Sequence, residues 1–153
     1  MKRHVLNFSF LISFTFFLCV TEASAEKLRQ LNVFKKNQEV VHYKVNIADT
    51  YEKQKMGLMY VGQLPEDQGM FFIYNQERKI GIWMKNTFIP LDIVFIDKNG
   101  VITEIVERPD TRSRKSTISQ KPSKYVLEIN LGETKKQGIQ VGDKVLLAQD
   151  KKH

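Results

Sequence analysis

The sequence predicts a mainly β fold, a compact β-sandwich or barrel-like domain with one short helical insertion. Three observations predict it. Short apolar or alternating runs recur along most of the chain, Asn99-Gly100 gives a strong hairpin signal, and only one stretch carries a clear helix start. The chain has 153 residues, a length that suits one core, and 42% hydrophobic with 27% charged residues marks it as globular rather than disordered.

The elements follow in order. Lys2, Arg3 and His4 precede an apolar run from Val5 to Val20, and Ala23-Ser24-Ala25 then supplies small residues. Basic, apolar and small-residue regions in that order describe a signal peptide over residues 1–25, cleaved after Ala25. The run is interrupted by Asn7, Ser9, Ser13 and Thr15. A membrane span needs about 20 continuous apolar residues, so no stable span is expected after cleavage. Cleavage removes Lys2, Arg3 and Glu22, lowering the +7 of the whole chain by one, and also removes Cys19. A thiol-free mature chain suits an oxidising compartment, and an exported protein, periplasmic or extracellular, is expected. Acylation at Cys19 is disfavoured by the large Leu18 before it.

Residues 26–39 are polar and weakly periodic, a linker or first strand. Val40 to Ala48 alternates, with Val41, Tyr43, Val45 and Ile47 on one face, and reads as a half-buried strand. Asp49 and Glu52 have capping-box spacing, which predicts a helix over 50–59 with Asp49 as its cap. Met70 to Tyr74 and Ile80 to Lys85 read as strands separated by polar residues. Asp92 to Asp97 forms a hairpin through Asn99-Gly100 with Val101 to Glu107, and a type I′ turn is expected there. Arg108 to Lys124 holds six bases against one acid, Asp110, and reads as a long exposed loop. Tyr125 to Leu131 alternates again, which places Glu128 on a polar face. Glu133 to Gln137 makes one helical turn closed by Gly138, Lys144 to Ala148 is the last strand, and residues 149–153 form a frayed tail.

The segment from Gly57 onward resembles the DUF192 family. The carrying residues are Gly57-Leu58-Met59, Gly69-Met70-Phe71-Phe72, Trp83-Met84-Lys85-Asn86-Thr87, Pro90-Leu91-Asp92-Ile93, Phe95-Ile96-Asp97, Tyr125-Val126-Leu127-Glu128, Gly132 and Gly142-Asp143. The resemblance runs from about Val40 to Leu147, within the β domain expected over residues 40–148. The resemblance implies a small, mainly β, often exported domain and carries over no catalytic residues and no activity.

The composition excludes several functions. A single Cys rules out a disulfide framework and a Cys-based zinc site. Of three His, one lies in the leader and one is the last residue, which leaves His42. No phosphate-cradling glycine loop is present, and no nucleophile has a matching base in sequence. No cofactor is expected.

The densest set of unusual side chains is Trp83, Lys85, Asn86, Thr87 and Asp92. An aromatic ring, an amide, a hydroxyl and a carboxylate at a strand end suit a sugar-like or peptide-like ligand, although short polar turn residues more often serve the backbone. Arg108, Arg112, Arg114 and Lys115 form a candidate anion site for an envelope polyanion. Nucleic acid is not expected, since export removes it and no aromatic interrupts the basic run. The leading expectation is therefore a non-enzymatic exported domain binding a cell-envelope component or small molecule. One alternative is an enzyme using Asp92 and Glu128, which acid–base work on a glycosidic bond would place about 5–9.5 Å apart in one cleft. A second is Cu(I) binding through the thioethers of Met70 and Met84, against the plainer reading of Met as core filling.

Overall fold

The computed structural model describes residues 27–149, and the signal peptide expected over residues 1–25, together with Glu26 and residues 150–153, lies outside them. The elements are β1 (Arg29–Phe34), β2 (Val40–Ala48), α1 (Tyr51–Met56), β3 (Gln68–Arg78), β4 (Gly81–Ile82), β5 (Leu91–Ile96), β6 (Ile102–Arg108), β7 (Thr117–Ile118), β8 (Ser123–Asn130), α2 (Glu133–Gln137) and β9 (Lys144–Leu147). Seven strands form one curled sheet in the order β6-β5-β8-β3-β2-β1-β9, a half-barrel, and β4 pairs with β7 in a separate two-stranded sheet. The expected mainly β class is what forms, and among the described residues the helical insertion α1 is joined by the expected turn of helix α2.

Residues 29–34 are a strand paired on both sides, by β2 and β9, so the linker alternative for that segment is replaced by a sheet element. β2 and β3 run parallel, and α1 lies in the crossover between them. Curling brings the two ends of the sheet together. Val101 bridges Lys144, and the Val145 amide donates to the Gly100 carbonyl at 2.7 Å.

That seam explains the hairpin. Only Gly100 has positive φ (80°), so the turn is not type I′. The Asp97 Oδ1 accepts from the amides of Asn99 (2.9 Å) and Val101 (2.8 Å), which holds Asn99 in the ordinary backbone region. A Cβ at Gly100 would lie 2.6 Å from the Val145 carbonyl, so glycine is required there for the close approach as well as for the turn.

Alternation divides the buried side chains into two cores. Leu31, Val33, Tyr43, Val45, Val94, Ile96, Leu127 and Ile129 fill the concave side. Phe72, Tyr74, Met84, Leu91, Ile93, Phe95 and Val126 pack on the opposite face, beneath a cover that includes Leu58, Ile80, Ile82 and Ile89. All six residues of β5 are buried, because that strand is covered on both faces.

Several boundaries move. The helix is shorter than expected, and Thr50 rather than Asp49 caps it, its hydroxyl accepting from the Lys53 amide. β3 continues through Asn75-Gln76-Glu77-Arg78, while the expected strand from Ile80 to Lys85 shrinks to two residues. The Arg108–Lys124 stretch is not a free loop. It carries β7, buries Ser119, and is tied down by Arg108.

Candidate functional site

The cover over the outer core is built from α1, the turn that follows it, and the segment from Gly81 to Thr87. α1 buries none of its residues. Gln54 anchors it, donating from Nε2 to the Ile73 carbonyl at 2.8 Å, and Leu58 inserts just beyond it. Gly57 ends the helix at φ 50°, where its amide donates to the Lys53 carbonyl.

Two residues with unfavourable backbone angles then meet. Tyr60 (φ 64°) and Asn86 (φ 54°) are joined twice: the Tyr60 amide donates to the Asn86 carbonyl at 2.9 Å, and the Asn86 Nδ2 donates to the Tyr60 hydroxyl at 2.7 Å. Arg112 (φ 60°) lies alongside, its amide donating to the Thr87 carbonyl at 2.9 Å, and the Met84 amide donates to the Ser113 carbonyl at 3.1 Å. Among the described residues, three of the four non-glycine residues with positive φ are thus gathered at one place. Each costs of order 1 kcal/mol or more, and such strain collects where the surrounding structure serves a function.

The result is a groove with an aromatic rim. Tyr51, Tyr60 and Phe88 are exposed, Trp83 is 36% exposed, and Met56 adds a further apolar side chain. One opening of about 360 Å³ runs between Tyr51, Met56, Tyr60, Trp83 and Asn86. A second, of about 330 Å³, continues past Trp83 to Tyr74 and Arg78. The Lys85 Nζ sits 5.3 Å from the Trp83 ring, and the Arg78 guanidinium sits 5.3 Å from the Tyr74 ring. Both place cations over aromatic faces.

Below Trp83 the groove narrows to a cavity of about 40 Å³, lined in part by Gly57, Phe72, Tyr74, Thr87 and Glu128. The Glu128 Oε2 is buried and has no hydrogen-bond partner. Burial alone pushes its carboxyl up to about 8, and burial also raises the Tyr74 phenol to about 12, with a contribution from Glu128. Glu128 is therefore largely protonated at neutral pH, able to donate as well as accept.

This corrects the sequence reading of Glu128. β8 is paired on both edges by β3 and β5, and the two cores cover its two faces, Leu127 and Ile129 on one side and Val126 on the other, so Glu128 sits buried in the outer core instead of facing solvent. Asp92 does not join it. In the β5–β8 ladder, Asp92 pairs with Ile129 and Ile93 with Glu128, which puts the two carboxyls on opposite faces of the sheet. The carboxylate-pair enzyme reading falls with that geometry, as does Asp92 as a groove residue. Asp92 is fully buried and accepts from the Gly132 amide (3.1 Å), the Thr134 amide (2.9 Å) and the Thr134 hydroxyl (2.7 Å), closing the start of α2.

Of the other expected binding residues, Trp83, Lys85, Asn86 and Thr87 surround the groove and its cavity. Among the basic residues, Arg108 is buried and held in place. Its guanidinium donates to both Asp110 oxygens, to the Thr117 hydroxyl and to the Lys115 carbonyl, so it does not face an external anion. The same guanidinium holds the Asp110 carboxyl well below the usual carboxylate range. Arg112, Arg114 and Lys115 are exposed. Met84 is fully buried and Met70 packs partly exposed against the same outer core. His42 is exposed on β2 beside Asn32. Among the described residues no group of three His, Cys, Asp or Glu is placed to hold a metal ion, and no helix is long and apolar enough to cross a membrane.

Sequence reasoning missed Tyr51, Gly57, Tyr60 and Tyr74. They come from separate segments that only the crossover and the cover bring together. Glu128 carried a signal that was legible: Val126, Leu127 and Ile129 around it make a run apolar on both faces, the mark of a central strand.

Fold and groove together define a small half-barrel protein with a covered outer face. The DUF192 family model, described as an "Uncharacterized ACR", matches residues 32–147, and the chain belongs to that family. Among solved structures it is similar to a protein of Sinorhizobium meliloti 1021 described as a "putative transcription regulator". Identity is 32%, the TM-score is 0.77, and the match covers 80% of this chain and 95% of that one. It is also similar to a protein of unknown function from Novosphingobium aromaticivorans DSM 12444, at 30% identity and a TM-score of 0.76, covering 82% and 89%. No curated protein matches the chain.

Proposed function

We propose that this protein is an exported, non-enzymatic binding domain whose aromatic groove holds an extended envelope component, sugar-like or peptide-like. The observation that carries the reading is the strained junction of Tyr60, Asn86 and Arg112, which supports an exposed rim of Tyr51, Tyr60 and Trp83. Flat rings cover C–H faces, while Asn86 and Lys85 offer polar groups at the edge. Arg112, Arg114 and Lys115 are exposed on the segment that the Arg112 and Ser113 backbone bonds tie to Thr87 and Met84, and their charge favours a ligand that also bears anionic groups. Export rests on the order of basic, apolar and small-residue regions in residues 1–25, which predicts a mature chain beginning at Glu26.

The regulator description of the Sinorhizobium meliloti relative finds little support in this chain. α1 and α2 have six and five residues, short for a recognition helix in a DNA major groove.

Trp83 is the only tryptophan, so its fluorescence reports on the groove directly. Soluble cell-wall fragments should shift its emission saturably, and added salt should weaken the anionic part of the binding. An emission indifferent to wall fragments and to acidic polysaccharide alike refutes the reading. Mass measurement of the protein from an extracellular or periplasmic fraction tests export, and a mature chain that retains Met1 refutes it.

A further inference from the structure

The cavity under Trp83 has a chemistry of its own. Its volume, about 40 Å³, suits one or two water-sized groups rather than a ring. Gly57 keeps it open: a Cβ there would lie 3.4 Å from the Phe72 Cζ and 3.8 Å from the Glu128 Oε2, at a φ that side chains rarely adopt.

What faces Glu128 is largely apolar or aromatic. On the same side of the sheet β5 turns Leu91, Ile93 and Phe95, and β3 turns Met70, Phe72 and Tyr74. The titratable or charged groups nearby are the Tyr74 phenol from β3 and, at the mouth, Lys55 from α1, with Lys85 held over Trp83. Among the described residues no cation forms an ion pair with Glu128, and no hydrogen bond reaches its Oε2.

From this geometry we propose that the cavity is a subsite for a terminal primary ammonium group, with Glu128 as its counter-ion and the rings of Phe72, Tyr74 and Trp83 as its walls. The inference rests on the binding function above, since the ammonium would end a ligand lying in the groove. An uncharged group entering the cavity gains one hydrogen bond with Glu128. An ammonium gains that bond, an ion pair in a poorly hydrated setting, and contact with aromatic rings. The proton balance follows. A ligand arriving as R–NH3+ meets a protonated carboxyl near neutral pH, Glu128 passes its proton to solvent, and the bound state is R–NH3+ with the Glu128 carboxylate. Affinity should therefore rise up to tenfold per pH unit as pH approaches 8 from below, and then level.

The test uses the mature protein, carbon-13 labelled, with the Glu128 side-chain carbonyl resonance followed by NMR. At pH 7 n-butylamine should move that resonance to its carboxylate position, and n-butanol should not. A lysine amide and glucosamine then separate peptide from amino-sugar sources of the same group. Glu128→Gln should lower the amine affinity at least tenfold. The wild-type resonance decides the question even if that variant folds poorly. An equal response to butanol and butylamine, or a Glu128 signal that no amine moves, overturns the inference; the second result is what a bound water alone would give. If amines fail while wall fragments still shift Trp83 emission, the subsite is wrong and the groove stands. If neither ligand registers, both are wrong.

Discussion

Replacing Glu128 with glutamine keeps the shape of the side chain and removes its proton equilibrium. The carboxyl ionises at about 8 in the fold, against 4.5 for an ordinary glutamate. Because the folded value is raised, the native state holds its proton at pH values where the unfolded chain has released it. Glu128 therefore costs no stability below about 4.5, and its cost grows until pH passes about 8. At about 1.4 kcal/mol for each pH unit between those values, the full cost is ~5 kcal/mol, most of it accumulating between pH 5 and pH 8.5. Glu128 is only 4% exposed, so solvent screening offers little relief. Urea unfolding of wild type and Glu128→Gln at a series of pH values measures the term. The stability advantage of the variant should be small at pH 5 and should grow by about 4 kcal/mol by pH 8.5. A difference between the two proteins that stays constant with pH refutes the burial of an ionisable, unpartnered carboxyl.

Other perturbations separate structure from binding. Asp92→Ala leaves the Gly132 and Thr134 amides and the Thr134 hydroxyl without their buried acceptor. It should cost about 3 kcal/mol in urea unfolding, with the groove's ligand response unchanged in whatever fraction stays folded. Trp83→Ala should change stability by about 1 kcal/mol or less, since the ring is partly exposed, yet weaken calorimetric binding of wall fragments at least tenfold. Arg108→Ala should speed limited proteolysis between residues 109 and 116 by releasing Asp110, Lys115 and Thr117. Lysine at that position should not restore protection, because it lacks the planar fork that meets both Asp110 oxygens.

Periodicity made most of the sheet legible. The alternation of Val41, Tyr43, Val45 and Ile47 located β2, and the run Ile93-Val94-Phe95-Ile96 located β5, because burial on one or two faces writes itself directly into residue choice. Glu133 to Gln137 and its closing Gly138 were read to the residue, since capping is local. Long-range effects escaped. The Asn99-Gly100 turn took another form because the Asp97 side chain and the approach of β9 decide it, and neither is visible in a dipeptide. The strand expected from Ile80 to Lys85 ended after Ile82, where the chain turns away to build the groove beside Asn86. Trp83, Lys85, Asn86 and Thr87 were found as a cluster because they are neighbours in sequence. Tyr51, Tyr60 and Glu128 reach the same place only through folding.

The two buried carboxyls of the β5–β8 ladder show how a structural acid is told from one free to bind. Asp92 and Glu128 lie one register step apart, and each is nearly or fully removed from solvent. Asp92 meets two amides and a hydroxyl from the start of α2, so its burial is answered within the fold, and mutation there should register as lost stability. Glu128 meets a cavity. No donor answers its Oε2, and burial alone raises its carboxyl. A leucine at that position would fill the space and end the electrostatic cost, so stability does not account for the acid. Glu128→Leu should accordingly raise stability at pH 8 by several kcal/mol, because it ends the cost of holding a proton that the unfolded chain has released. Should Glu128→Leu instead unfold the protein, the residue would be serving the sheet, and the cavity beneath Trp83 would lose its claim to be a site.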